Sequence, residues 1–262
     1  LVLTAGQQAL MGALPLPYFL MIALFSFTIF GSVEAINDAA HILSVTDSVL
    51  DRLEELEHTD FIDKDGREIT PEKFDVALSH VSFGYGQREV LHDVTFTAPQ
   101  GTTTAIVGPS GSGKSTICNL VARFYDTDSG TVSVGGHDVR EFTCESLLQN
   151  ISMVFQNVYL FQDSVENNIK FGCPEATHEQ VVAAAKAACC HDFIMALPNG
   201  YDTVIGEGGS TLSGGEKQRI SIARAILKDA PIVILDEATA SVAPENDHLI
   251  QQALSALTKG QS

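Results

Sequence analysis

Gly108-Pro-Ser-Gly-Ser-Gly-Lys114-Ser115-Thr116 is the stretch that decides the fold. It follows the β-prone run Thr103–Val107 and precedes Ile117, Leu120, Val121 and Phe124 at helical spacing, so the sequence predicts strand, glycine loop and helix in that order. The pattern is that of a phosphate-binding loop. Gly108, Gly111 and Gly113, with Pro109, Ser110 and Ser112 between them, let the backbone wrap close to phosphate oxygens with its amides aimed inward. Lys114 is placed to bring a point charge to the β- and γ-phosphates of ATP, and Ser115 a hydroxyl to Mg²⁺. The helix N-terminus adds its own positive potential.

Two further stretches take their meaning from that loop. Ile232–Leu235 reads as an apolar strand, and Asp236 and Glu237 follow it directly. Asp236 would hold the Mg²⁺ shell opposite Ser115, and Glu237 would orient or deprotonate an attacking water. Asp-Glu after a strand is common as a helix cap, so its standing comes from sharing a chain with the loop. Leu212-Ser213-Gly214-Gly215-Glu216 opens a predicted helix with Ile220, Ala223, Ile226 and Leu227 on its apolar face. Ser213 and Glu216 have capping-box spacing, and the same Ser-Gly-Gly start offers amides and a hydroxyl to an anion. Both readings hold together. Two phosphate-seeking loops in one chain point to a nucleotide held between two copies of the domain.

The 262 residues carry a formal net charge of -18 with a pI near 4.6, which argues against nucleic acid as a partner. Residues 34–75 hold 13 acidic and 4 basic residues, half of that net charge, as expected of a solvated helix face and linker. The five cysteines form no CxxC pair, which fits a reducing compartment rather than a disulfide framework or zinc site. The eight histidines show no metal-ligand spacing.

Leu16–Val33 contains no charged residue, and Pro15 and Pro17 suit a helix start. A run of that length predicts a membrane helix over about 15–33, with residues 1–33 forming the end of a membrane domain. The uncharged start, beginning at Leu1, reads as cut from something longer. Ile36, Ala39, Leu43, Leu50 and Leu53 then recur at helical offsets, predicting a cytoplasmic helix to about His58, and the polar Asp60–Lys73 reads as a linker. From Phe74 to the end, strands alternate with helices. Strands are expected at Val76–Phe83, Val94–Thr97, Thr103–Val107, Thr131–Val134, Ile151–Phe155 and Ile232–Leu235, and helices at His178–Ala188, Gly215–Leu227 and Glu245–Leu257. The fold class is α/β with a mostly parallel, covered sheet over 74–262.

Taken in order, Tyr85, Gly108–Thr116, Gln156, Leu212–Glu216 and Asp236–Glu237 resemble the aromatic loop, Walker A, Q-loop, signature and Walker B of the ATP-binding cassette (ABC) family. The preceding apolar helix is similar to the last transmembrane helix of exporter-type half-transporters. The resemblance implies a P-loop NTPase nucleotide-binding domain whose sheet is joined by an antiparallel β subdomain and a helical subdomain. It implies ATP and Mg²⁺ as cofactors, ATPase activity, and as partners a second nucleotide-binding domain, the transmembrane domains and the lipid membrane. It places the protein in the bacterial inner membrane with this domain cytoplasmic. By the same resemblance Tyr85 would stack on adenine, although flanking Gly84 and Gly86 also suit a hairpin tyrosine. Gln156 would reach the Mg²⁺ and the attacking water. Ser213, Gly214 and Gly215 would contact the γ-phosphate of ATP on the opposite protomer. Glu207 matches a loop near the intracellular helices, or is a plain surface glutamate.

Three departures from the family pattern stand out. Ala243 occupies a position usually held by Asp, Glu216 stands where glutamine is commoner, and no histidine is placed as the switch that follows Walker B. The last implies weak hydrolysis by this chain alone. Two alternatives remain open from the sequence: a soluble ABC ATPase, and a catalytically weak half of a heterodimeric transporter.

Overall fold

The computed structural model describes residues 2–57, 61–86, 88–236 and 244–259. The chain divides into two compact units, Leu1–Phe61 and Ile62–Ser262.

The first unit is a helical pair, α1 (Val2–Leu10) and α2 (Leu16–Glu57). Pro15 and Pro17 sit where missing amide donors cost nothing, and the Pro15 carbonyl accepts from the amides of Tyr18 and Phe19 at 3.0 and 3.3 Å. Large apolar side chains stand exposed all round the first half of α2, among them Leu20, Leu24, Phe25, Phe27 and Phe30. Among the described residues, no helix is long and apolar enough to cross a membrane. The expected membrane helix at about 15–33 extends beyond what that statement covers, since its last two residues, 32 and 33, have side chains outside the described ones and Leu16–Gly31 alone falls short of a bilayer's thickness.

In the second unit, β1 (Val76–Tyr85) and β2 (Arg88–Ala98) form an antiparallel hairpin. The buried residues of β1 are Leu78, Val81 and Phe83, so simple alternation breaks between 78 and 81. A bulge explains the break. His80 has φ 52°, its amide donates to Thr95 Oγ1 at 2.9 Å, and the strand is re-aimed so that Val81 faces the core. After α3 (Lys114–Val121), β3 (Ser129–Val134) pairs antiparallel with β1, and β4 (His137–Asp138) completes a sheet of order β2-β1-β3-β4. Then come α4 (Cys144–Gln149), β5 (Ile151–Val154), α5 (Val165–Lys170), α6 (His178–Ala187), α7 (His191–Met195), α8 (Gly214–Lys228), β6 (Ile232–Leu235) and α9 (Pro244–Lys259).

β5 and β6 pair in parallel, Ile151 with Ile232 through Val154 with Leu235. Of the expected mostly parallel sheet, the described residues hold this pair. Thr103–Val107, expected as a strand, is irregular and solvent-facing, with Val107 93% exposed. Its β-branched residues carry propensity, but propensity becomes a strand only where a ladder partner exists.

The core falls into two clusters. Leu78, Val81, Leu120, Val132, Phe142 and Leu147 pack between the antiparallel sheet, α3 and α4. Val154, Ile169, Val181, Ile194, Ile220 and Ile250 pack the helices α5 to α9. β5 belongs to both, since Ile151 lies in the first cluster and Val154 in the second.

The stretch expected as a linker, Asp60–Lys73, is fastened to the domain from residue 62 onward. Asp63 accepts the Cys144 amide at 2.8 Å, Arg67 exchanges backbone bonds with Glu141 and Thr143 at 2.7 and 2.9 Å, and Ile69 donates to Ser146 Oγ at 3.2 Å. Long-range polar contacts of this kind leave no periodic trace in a sequence.

Candidate functional site

The glycine loop takes its shape from left-handed backbone. Gly111 and Gly113 have φ of 79° and 91°, and a Cβ on Gly113 would lie 2.6 Å from Leu91 Cδ2. The Ser112 amide donates to Pro109 O at 3.2 Å, closing a turn, and Gly113 stands immediately before the first residue of α3. Lys114 Nζ donates to the carbonyls of Gly108 and Pro109 at 3.2 and 3.1 Å, so the loop curls around the ammonium. Gly108 through Ser112 are exposed, whereas Thr116 is buried and anchors α3 in the core.

Ser115 and Asp236 meet. The Ser115 hydroxyl donates to Asp236 Oδ1 at 2.7 Å, joining the loop to the residue that follows β6. The Asp236 amide donates to Val154 O at 3.0 Å, extending the parallel ladder by one residue. Gln156 follows β5 by two residues, so Asp236 and Gln156 leave the sheet at the same carboxyl end. That end is where ligands bind in parallel α/β sheets. Gln218, buried on α8, donates to Phe155 O at 3.4 Å beside it. A hydroxyl and a carboxylate converging beside an exposed glycine cradle are hard oxygen donors, and they fit Mg²⁺ with a triphosphate.

Cys118, one turn along α3 from Lys114, is held as a thiol. Burial, seconded by the charge of Asp236, pushes it up to about 11. Glu237 lies outside the described residues, as do Ser241 to Ala243.

Ser213 caps α8. Its hydroxyl oxygen accepts the Glu216 amide at 3.4 Å, and the Glu216 carboxylate accepts both the Ser213 amide at 2.8 Å and the Ser213 hydroxyl at 2.7 Å. Gly214 is exposed and Gly215 buried. This segment adjoins the helical cluster through Leu212, whereas Leu91, Ile117 and Leu120 around the glycine loop belong to the sheet cluster. Tyr85 ends β1, 42% exposed, with Phe83 and Tyr125 packed perpendicular to its ring.

Three polar residues carry contacts that the sequence pattern does not announce. Arg123 is buried and donates to backbone carbonyls of Ile62, Val139 and Phe142. Arg224 is half-buried against Phe161 and Phe171 and donates to the Asn168 and Tyr159 carbonyls at 2.6 and 2.9 Å and to Asn168 Oδ1 at 2.7 Å. Asn168 in turn donates to Phe161 O at 3.0 Å and accepts the Phe161 amide at 2.9 Å. For Arg224 a signal existed: it stands four residues after Ile220, inside the apolar stripe of α8.

The family model described as ABC transporter matches residues 91–240, more than half of the chain. The chain belongs to the ABC transporter family. An ATP-dependent lipid A-core flippase of Legionella pneumophila (strain Paris) is 49% identical over 189 residues, covering 72% of this chain and 32% of the flippase. A protein of the same name from Syntrophus aciditrophicus (strain SB) is 43% identical over 230 residues, covering 87% and 37%. A solved structure of a bacterial Atm1-family ABC exporter with ATP bound is similar at a TM-score of 0.75 and 38% identity, over 83% of this chain and 39% of that one. The chain spans about a third of the length of the curated relatives it matches.

Proposed function

We propose that this chain is the ATP-binding and ATP-hydrolysing part of an exporter-type ABC half-transporter, together with its adjoining membrane helix. The observation that carries the reading is the Ser115–Asp236 hydrogen bond of 2.7 Å, which unites two motifs 121 residues apart at the carboxyl end of a parallel strand pair. Bound Mg²⁺ would neutralise charge on the β- and γ-phosphates. The loop amides of Gly108 to Thr116 cradle the phosphates, and Lys114 exchanges the Gly108 and Pro109 carbonyls for phosphate oxygens. Ser115 and Asp236 would hold the metal, Gln156 would orient the attacking water, and Glu237 would take its proton. Tyr85 stacks on the base.

A second nucleotide-binding domain supplies the opposing signature, so that Ser213, Gly214 and Gly215 of each copy close over the γ-phosphate held by the other. Closure moves the membrane domains. The exposed apolar belt of α2 supports its placement in a lipid bilayer, with the nucleotide-binding domain on the cytoplasmic side of a bacterial inner membrane, where ATP is found.

Equilibrium binding of a fluorescent ATP analogue to the 262-residue chain in detergent, with and without Mg²⁺, tests the reading. Wild type should bind more tightly with Mg²⁺, Lys114→Ala should weaken binding at least about tenfold, and Asp236→Asn should abolish the Mg²⁺ dependence. Unchanged binding in Lys114→Ala would refute it. For the membrane helix, residues 1–60 fused to a soluble reporter should partition into lipid vesicles, and a fusion that stays in the aqueous phase argues for the soluble alternative.

A further inference from the structure

Tyr125 is half-exposed beside Tyr85 and is absent from the set of motif residues. The rings of Phe83, Tyr85 and Tyr125 form a closed triangle, with centroids 5.0 Å (83–85), 5.7 Å (83–125) and 5.2 Å (85–125) apart. Phe83 is buried and fixed by the core. Tyr85 lies perpendicular to both neighbours, the edge-to-face geometry that aromatic quadrupoles favour.

Tyr125 is itself held from the phosphate-loop helix. Arg123 N donates to Leu120 O at 3.1 Å and Phe124 N to Asn119 O at 2.9 Å, with Arg123 at φ 52°. These are the two bonds of a Schellman motif, and they fix the direction of the chain as it leaves α3. Three residues past Tyr125 the same segment grips the hairpin. Asp128 Oδ2 accepts the Gly84 amide at 2.8 Å, and the Asp128 amide donates to Ser82 O at 3.1 Å. A Cβ at Gly84 would meet Arg88 O at 2.6 Å, so glycine is needed for this close turn.

We infer that Tyr125 is a positioning residue for the base of the bound nucleotide: it braces the Tyr85 ring and ties the base platform to the end of the phosphate-loop helix. The inference rests on Tyr85 being that platform. A ring held in one orientation before binding loses less freedom when a base stacks on it, so the brace contributes to affinity without touching the ligand. Its contribution depends on the base and on Tyr85, and not on the phosphates.

Binding of ATP and of inorganic tripolyphosphate, both with Mg²⁺, to the 262-residue chain and its Tyr85→Leu, Tyr125→Leu, Tyr125→Phe and double-leucine variants tests it. Tyr125→Leu should weaken ATP binding about three- to tenfold and leave tripolyphosphate within twofold. Tyr125→Phe, which keeps the ring, should restore ATP affinity. The double variant should bind ATP no more weakly than Tyr85→Leu, because the brace acts through Tyr85. Equal weakening of both ligands by Tyr125→Leu, or additive losses in the double variant, overturns the inference while leaving the nucleotide site standing. Wild type that binds neither ligand overturns the nucleotide reading and this inference together.

Discussion

The guanidinium of Arg123 donates through Nη1 to the Phe142 carbonyl at 2.7 Å, although Arg123 carries a left-handed backbone that glycine would adopt more easily. The side chain also reaches the Val139 and Ile62 carbonyls and Asp126. Left-handed backbone costs a residue with a Cβ about 1–2 kcal/mol. Arg123→Gly relieves that strain but strands the buried carbonyls, each costing about 1–3 kcal/mol when left without a donor. The expected outcome is net destabilisation by about 2 kcal/mol, read as a lower midpoint in urea. A variant as stable as wild type would show that the carbonyls find water.

Arg224 offers a sharper case, because all its acceptors are neutral. Burial pulls its guanidinium down to about 10. Arg224→Met keeps the stem and removes the donors to Asn168 and Tyr159, so the turn around 159–168 loses its anchor to α8. Stability should fall by about 2–4 kcal/mol, lowering Tm by roughly 5–15 °C. Hydrogen exchange should quicken at the Phe161 amide, which rests on the side chain of Asn168.

Asp63 predicts a dependence on pH. Its carboxylate accepts the Cys144 amide, chiefly for that reason it sits below the ordinary value of 3.8, and it thereby favours the folded state when ionised. The stabilisation is complete above about pH 4 and is lost as pH falls through the lowered folded value. Thermal melts of wild type and Asp63→Ala should differ at pH 7, and the gap should narrow as pH falls below 3.8. A gap that stays constant as the pH falls through the acid range would assign the effect to packing rather than charge.

Cys118 and Cys190 are pushed up to about 11 and about 12, each chiefly by burial. The thiolate is the reactive form, so iodoacetamide at pH 8 should leave both unmodified in the folded chain and label them once urea unfolds it. Mass spectrometry of the peptides reads this directly.

The features legible in the sequence are those whose cause is local. The period-3.6 stripe of α8 and the apolar run of β6 appear where their patterns place them, because adjacent residues decide them. Ser115 and Asp236 could be paired by motif because the chemistry of a metal-bound phosphate demands a hydroxyl and a carboxylate. Thr103–Val107 went astray because a strand is completed by a partner that its own residues cannot specify. The attachment of residues 62–69 and the roles of Arg123, Arg224 and Asn168 were illegible for a related reason. Each is a side chain answering a backbone group remote in sequence, and a carbonyl has no letter in the alphabet. Tyr125 was passed over because a tyrosine after a helix carries no pattern until Tyr85 is seen beside it.

The fastening of residues 62–69 changes what can be transmitted along the chain. A slack tether would absorb displacement by uncoiling. Here Arg123 grips Ile62 at one end of the strap while its own backbone closes off the end of the phosphate-loop helix. Tension applied at residue 62 would therefore load the end of α3 through that bond rather than draw out a slack loop.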